Sequence, residues 1–403
     1  MGASQTVCCL VLRDEHIARS FAVAKWTYCA LFTVVTVITW VLRDYSDDWF
    51  LKHSTIFAYC QLPGYEALCS GKQVAVRISF ANFSFFFTHA LVLFWCTWER
   101  DFRAGIHTGL WFWKILAWGG AIAGFFFVPA NAITVYAQVA RYGAGLFLVF
   151  VMIEMVSWVY DVNEWLLRRD SKPAWAALVL GAAVSILGGL ALIGAAYYFY
   201  AATPACHLNL FFITWSIVVG FALVGVLFVP NRLEVAGLMT SGAVFAYCSY
   251  LLYSALGRVP GDACVRVAVS DQWVQIVGFF LGIFAVCYST MSLGTSSIFG
   301  GKQSGDSSEA GGGGDTSGGG GDLANDSGPL PYRPDAFHLM FALASMYMAM
   351  LFTNWQVSSS TAKFELGTGW TSTWVTMGSK WFCEALYLWT VVAPAILRNR
   401  DFS

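Results

Sequence analysis

Five ionisable side chains fall inside long apolar runs, where hydrocarbon rather than water would surround them: His89, Lys114, Arg141, Glu154 and Glu384. A charge at membrane depth is costly, and such a residue is by default a candidate for moving polar groups across the bilayer. Arg141 offers a planar donor fork that suits phosphate, which lysine reproduces poorly. Glu154 can engage an ammonium group or hold a cation from a second helix. Arg141 and Glu154 share one helical run, but their spacing puts them on different faces, so they do not pair with each other. Interhelical ion pairing, for example Glu154 with Lys114, competes with a water- or headgroup-lined path. His89 stands alone and reads as a hydrogen-bonded packing residue rather than a ligand. Arg77 and Lys380 sit near the ends of apolar runs and are expected to snorkel toward water.

Other chemistries find no support. No His, Cys, Asp or Glu grouping has the spacing of a metal site, so no metal and no cofactor is expected. Gly301-Lys302 is followed by Gln303, and Ser296 stands where a phosphate loop needs its leading glycine. No nucleophile elbow or Ser-x-x-Lys motif appears at a plausible position. The net charge is −1, which gives no basic surface for nucleic acid.

The elements that must position these residues are membrane helices. Of the residues, 58% are apolar or aromatic and only 12% are charged, too few charges to clothe a soluble protein of 403 residues. A crossing helix needs about 20 apolar residues. Ten runs qualify: 21–42, 76–98, 106–128, 132–160, 175–200, 207–229, 233–255, 272–292, 336–355 and 374–397. They are too continuous for barrel strands. The fold class is therefore an all-α polytopic membrane protein. Residues 1–20 read as a cytosolic N-terminal segment, 21–292 as spans one to eight, 293–335 as a disordered cytosolic Gly-rich loop, and 336–403 as spans nine and ten with a short cytosolic tail. Basic clusters such as Arg100-Arg103, Arg168-Arg169-Lys172 and Arg398-Arg400 place both termini in the cytosol. Asn325-Asp326-Ser327 then lies on the cytosolic side and Asn82-Phe83-Ser84 inside a span, so neither acceptor pattern is expected to carry glycan. From Asn131 to Asp170 no proline interrupts the pattern, which gives a helix of roughly 57 Å against hydrocarbon about 30 Å thick. Such a helix must tilt, protrude, or both. Tilt could splay its neighbours and open a groove to lipid. Tryptophans at run ends, among them Trp98, Trp111, Trp113, Trp370 and Trp374, form an aromatic belt. The small-residue runs Gly181-Ala182-Ala183 and Gly188-Gly189 permit close helix approach.

Cys60, Cys69, Cys206 and Cys264 all fall on the non-cytosolic side, where oxidation is permitted. Pairing Cys60 with Cys69 inside their shared loop leaves Cys206 with Cys264, and four free thiols is the alternative. Cys29, Cys96, Cys248, Cys287 and Cys383 lie in spans and read as packing residues. Met1-Gly2-Ala3-Ser4-Gln5-Thr6 fits a myristoylation pattern at Gly2, with Cys8 and Cys9 as palmitoylation candidates and chance as the competing explanation.

Four segments together resemble the serine incorporator (SERINC) family: VRISFANFSFFF at 76–87, RDFRAGIHTGLWFWKILAW at 100–118, FHLMFALASMYMAMLFTNW at 337–355, and TWVTMGSKWFCEALYLWTVVAPAILRNRDF at 373–402. The resemblance implies ten spans in two helical bundles joined by a long tilted helix, and a cytosolic loop before the ninth span. Many members begin with a Cys-rich apolar segment; here only Cys8 and Cys9 remain, followed by Arg13-Asp14-Glu15-His16, which argues against an eleventh span. It further implies passive, ATP-independent phospholipid scrambling or support of serine incorporation into phosphatidylserine and sphingolipids. A serine carrier, or an accessory subunit for a serine-using lipid synthase, is the alternative, although few internal prolines break the spans as a carrier would favour. No catalytic residue is implied. The expected setting is the plasma membrane or an endomembrane. Membrane phospholipids are the expected partners, with serine-using lipid synthases and a homo-oligomer as further options.

Overall fold

The computed structural model describes residues 2–45, 71–98, 101–260, 264–266, 280, 282–288, 330–353 and 369–397, with side chains from His16 onward apart from Tyr45, Lys72 and Ala130. The described residues are helical and include no β-strand. In chain order the helices are α1 (Gly2–Tyr45), α2 (Gly71–Val92), α3 (Phe102–Thr108), α4 (Trp111–Phe125), α5 (Ala130–Arg169), α6 (Lys172–Tyr200), α7 (His207–Gly225), α8 (Leu238–Leu256), α9 (Pro334–Phe352) and α10 (Trp370–Ile396). Residues 282–288 are also helical. Among the described residues, six stretches are long and apolar enough to cross a membrane: His16–Asp44, Gln73–Val92, Asn131–Arg169, Lys172–Tyr200, His207–Phe228 and Pro334–Phe352.

The uninterrupted pattern after Pro129 does yield one continuous helix. At 40 residues, α5 is about 60 Å long. The run at 106–128 behaves differently. It is broken at Gly109 and Leu110, where Leu110 takes a left-handed φ of 58°, so α3 and α4 are separate helices. The 15 residues of α4 cover only about 22 Å, short of a bilayer's hydrocarbon. Helix α1 starts at Gly2, well before the expected span at Phe21.

Helix α9 packs on α1, α2 and α5, and α2 also packs on α1, α4 and α5. Helix α8 packs on α5, α6, α7 and α10. Helix α5 therefore touches both α9 and α8. Close approach is sequence-encoded at Gly189 and Gly220, where an added Cβ would come within 2.6 Å of the Phe245 ring of α8. Three helices are tied at one point: the Ser79 hydroxyl of α2 meets the Tyr136 hydroxyl of α5 at 2.8 Å and donates to the Ser345 carbonyl of α9 at 2.7 Å. Asn82 is buried and accepts from the Trp118 indole at 2.6 Å.

Two basic residues depart from expectation. Arg77 does not snorkel. It is 1% exposed, and its Nη1 donates to the carbonyls of Phe125, Phe126 and Val128 at 2.6–3.3 Å. These carbonyls close the end of α4, which has no later turn to bond them. Because α2 begins at Gly71, Arg77 lies in its second turn rather than at its end. Lys380 is likewise fully buried, ten residues into α10, and its ammonium meets Glu384 Oε1 at 2.5 Å one turn on.

Candidate functional site

A cavity of about 320 Å³ lies between α5, α8, α9, α10 and residues 282–288, within the range of ligand pockets. Its apolar wall comes from one face of α5, with Phe147, Val151 and Met155 at i, i+4 and i+8. Phe284 and Ala285 form the facing wall. Polar groups enter at intervals. Glu154, 4% exposed, projects from α5. Tyr247 and Tyr250 come from α8, Tyr347 from α9 and Tyr288 from the segment at 282–288. Arg258, half-buried just beyond the end of α8, also lines the cavity. Its Nη1 donates to Ser372 Oγ at 3.2 Å and Thr376 Oγ1 at 2.8 Å on α10. An apolar trough with a cation, a carboxylate and several phenols along it suits an amphipathic ligand.

The five intramembrane candidates scatter. Glu154 is in the cavity. Arg141 lies on the exposed face of α5 and does not line it, so the two are on different faces as their spacing requires. Lys114 does not meet Glu154. Its ammonium donates to the His107 carbonyl at 2.8 Å and lies over the Trp111 and Tyr28 rings. His89 is half-buried on α2 and bonds the Phe85 carbonyl of its own helix through Nδ1 at 2.8 Å. Glu384 belongs to the Lys380 pair.

Cys206 and Cys264 form a disulfide, with Cα atoms 5.7 Å apart, that ties the start of α7 to the chain beyond α8. Cys60 and Cys69 lie outside the described residues, as do the side chains of Gly2, Cys8 and Cys9. Cys29, Cys96, Cys248, Cys287 and Cys383 are not in disulfides.

Two groups went unnoticed in the sequence. One is Arg258, which reads as an ordinary loop charge until α10 is folded against it. The other is a buried chain in which His107 Nε2 meets the Tyr332 hydroxyl at 2.6 Å and His107 Nδ1 meets His338 Nε2 at 3.0 Å. Both histidines are fully buried, and Tyr28 donates to the His107 carbonyl at 3.3 Å. This chain joins α1, α3 and α9. The available signal was histidine inside an apolar run, which His107 and His338 share with His89.

The family model described as serine incorporator (Serinc) matches residues 1–400. A probable serine incorporator of Nematostella vectensis is 29% identical over 374 residues, covering 83% of this chain and 81% of that protein. Serine incorporator 3 of Mus musculus is 29% identical over 382 residues, covering 83% and 80%, and serine incorporator 2 of Homo sapiens is 28% identical over 368 residues, covering 83% and 80%. With a family model spanning nearly its whole length and several helices able to cross a bilayer, this chain is a multi-pass membrane protein of the serine incorporator family.

Proposed function

We propose that this protein is a non-catalytic lipid handler that lets phospholipids pass between leaflets without nucleotide hydrolysis. The observation that carries the reading is the cavity beside α5. It offers apolar walls for acyl chains, and Glu154, Arg258 and the phenols offer contacts to a headgroup at depths where hydrocarbon supplies none. In this reading ten spans form two helical bundles, one around α2 and α9 and one around α8, and α5 crosses between them. Both termini are cytosolic, which puts Arg258 near the opposite face of a plasma membrane or endomembrane. Passing phosphatidylserine and sphingolipid this way would support serine incorporation into membrane lipids.

A second reading has a specific observation behind it. Glu154 and Arg258 give one cavity both an anion and a cation, the pair that zwitterionic serine needs, and the relatives carry the name serine incorporator. On that reading the chain is a serine carrier or an accessory subunit for a serine-using lipid synthase. Liposomes containing the purified full chain separate the two. Flipping of labelled phospholipid without uptake of radiolabelled serine supports lipid handling. Serine uptake without flipping supports the carrier.

A further inference from the structure

Among the described residues, five arginines are closed on acceptors in a way that Arg258 is not. Arg77 is bonded to three carbonyls through Nη1, and Arg232 to three through Nε and Nη1. Arg43, Arg103 and Arg333 each reach a carboxylate. Arg258 donates only through Nη1, to two hydroxyls. Among the described residues no carboxylate comes within ion-pair distance of it, Glu154 across the same cavity included, and no acceptor meets Nε or Nη2. The residue is half-buried, and partial burial pulls the guanidinium below its ordinary pKa. A hydroxyl can accept from a cation but cannot neutralise it.

A second positive field meets the same place. The Gly369 amide donates to the Arg258 carbonyl at 2.9 Å, which seats the first turn of α10 beside the arginine. The start of a long helix carries partial positive charge on its unpaired N–H groups, and Trp370–Ile396 is 27 residues long. Tyr250 and Tyr347, the titratable groups that act on Arg258, are phenols able to donate; Tyr247, Tyr288, Ser254, Ser379 and the carboxylate of Glu154 also line the cavity. The cation lines an apolar trough that α10 enters through Val375, Thr376 and Ser379, and the unused edge of the cation is a parallel pair of N–H donors. That pair matches two oxygens of one phosphate or carboxylate.

We propose that the Nε–Nη2 edge of Arg258 grips the phosphate of a membrane phospholipid whose acyl chains lie along the Phe147–Met155 face of α5. This rests on the lipid-handling reading and sharpens it: the cargo carries an oxyanion, and neutral lipids such as diacylglycerol are excluded. Free inorganic phosphate offers the same chemistry without the acyl chains.

The test uses the full chain in nanodiscs of phosphatidylcholine with diacylglycerol, with native mass spectrometry to count retained lipids and thermal unfolding in parallel. The wild type is expected to retain phosphatidylcholine over diacylglycerol, and Arg258→Gln to lose that preference by about tenfold or more, as a charge-assisted pair of hydrogen bonds would give. Arg258→Lys keeps the charge but not the fork, and is expected to fall between them. If Arg258→Gln proves unstable, the lysine variant carries the test alone. An unchanged preference in a well-folded variant overturns the proposal. So does excess inorganic phosphate abolishing the wild-type preference, because the anion would then be free phosphate rather than lipid. Labelled-lipid flipping separates this failure from failure of the parent reading. Flipping that persists undiminished in Arg258→Gln removes the phosphate grip and leaves lipid handling standing. Arg258-dependent retention with no flipping at all removes scrambling and leaves the phosphate site.

Discussion

The junction of α1, α3 and α9 and the cavity beside α5 handle buried polar groups in opposite ways. At the junction the groups are joined to one another: His107 is bonded at both ring nitrogens, its carbonyl takes Lys114 and Tyr28, and Tyr332 donates on to the Phe21 carbonyl at 3.2 Å. Lys25 of α1 covers the Tyr332 ring at 4.1 Å. At the cavity, Arg258 spends only Nη1 on its scaffold, donating to Ser372 and Thr376, and lines the open volume. A buried polar group without a partner costs roughly 1–3 kcal/mol. Residues bonded among themselves lower that penalty and read as structure. Arg258 is half-buried, and a guanidinium with nitrogens left unpaired beside a void reads as a place for something that comes and goes.

The sharpest break in this contrast would come at Lys380 and Glu384, a third polar region that is buried and closed on itself. Lys380→Met leaves a carboxylate stranded in the interior and is expected to lower stability by about 3–5 kcal/mol. The double change with Glu384→Leu is expected to recover most of that. Thermal unfolding in detergent measures both. Stable single variants that flip lipid poorly would move the pair from scaffold to path. A smaller loss, about 1–3 kcal/mol, is expected for His107→Phe, which takes a partner from Tyr332 and from His338 together. Its folded fraction should flip lipid at the wild-type rate, and a normally stable but inactive variant would contradict the division between the two regions.

Much of the scaffold was legible in advance because it depends on local pattern. The absence of proline from Asn131 to Asp170 is enough to give α5, and the placement of Arg141 and Glu154 on different faces follows from helical geometry alone. What was not legible depends on where helices stop and what meets them. The run at 106–128 is apolar throughout, so nothing in its hydropathy announces the turn at Gly109-Leu110. Arg77 and Lys380 looked terminal only because α2 and α10 begin earlier than their apolar runs do. His107 meets partners 225 and 231 residues away, a pairing that no spacing within the chain encodes. Arg258 becomes distinctive only once α10 supplies Ser372 and Thr376 and no described carboxylate follows.

The smallest expected effect belongs at the surface, where neither rule applies. Asp101 caps α3 by accepting from the Arg103 amide at 3.0 Å and also pairs with the Arg103 guanidinium. Hydrogen bonds from Arg103 hold its carboxyl at about 2, below the ordinary 3.8. A depressed carboxyl contributes stability above its unfolded pKa and loses it as pH falls through the folded value, so this cap should weaken between about pH 4 and pH 2. Asp101→Ala is expected to remove roughly 0.5–1 kcal/mol and flatten that limb of the stability profile. An unchanged acid limb in the variant would remove Asp101 from the account.

The most direct measurement concerns the open volume itself. Ala285 lines the cavity from the segment at 282–288, and Ala285→Trp would fill space that the account assigns to lipid. Purified full chain is reconstituted in liposomes with labelled phospholipid, and flipping is compared for wild type, Ala285→Trp and protein-free vesicles alongside thermal stability. Wild-type flipping is expected well above the protein-free rate, with loss of most of it in Ala285→Trp and the unfolding midpoint nearly unchanged. Wild-type protein that flips no faster than empty vesicles, or a stable Ala285→Trp that flips as fast as wild type, would contradict it.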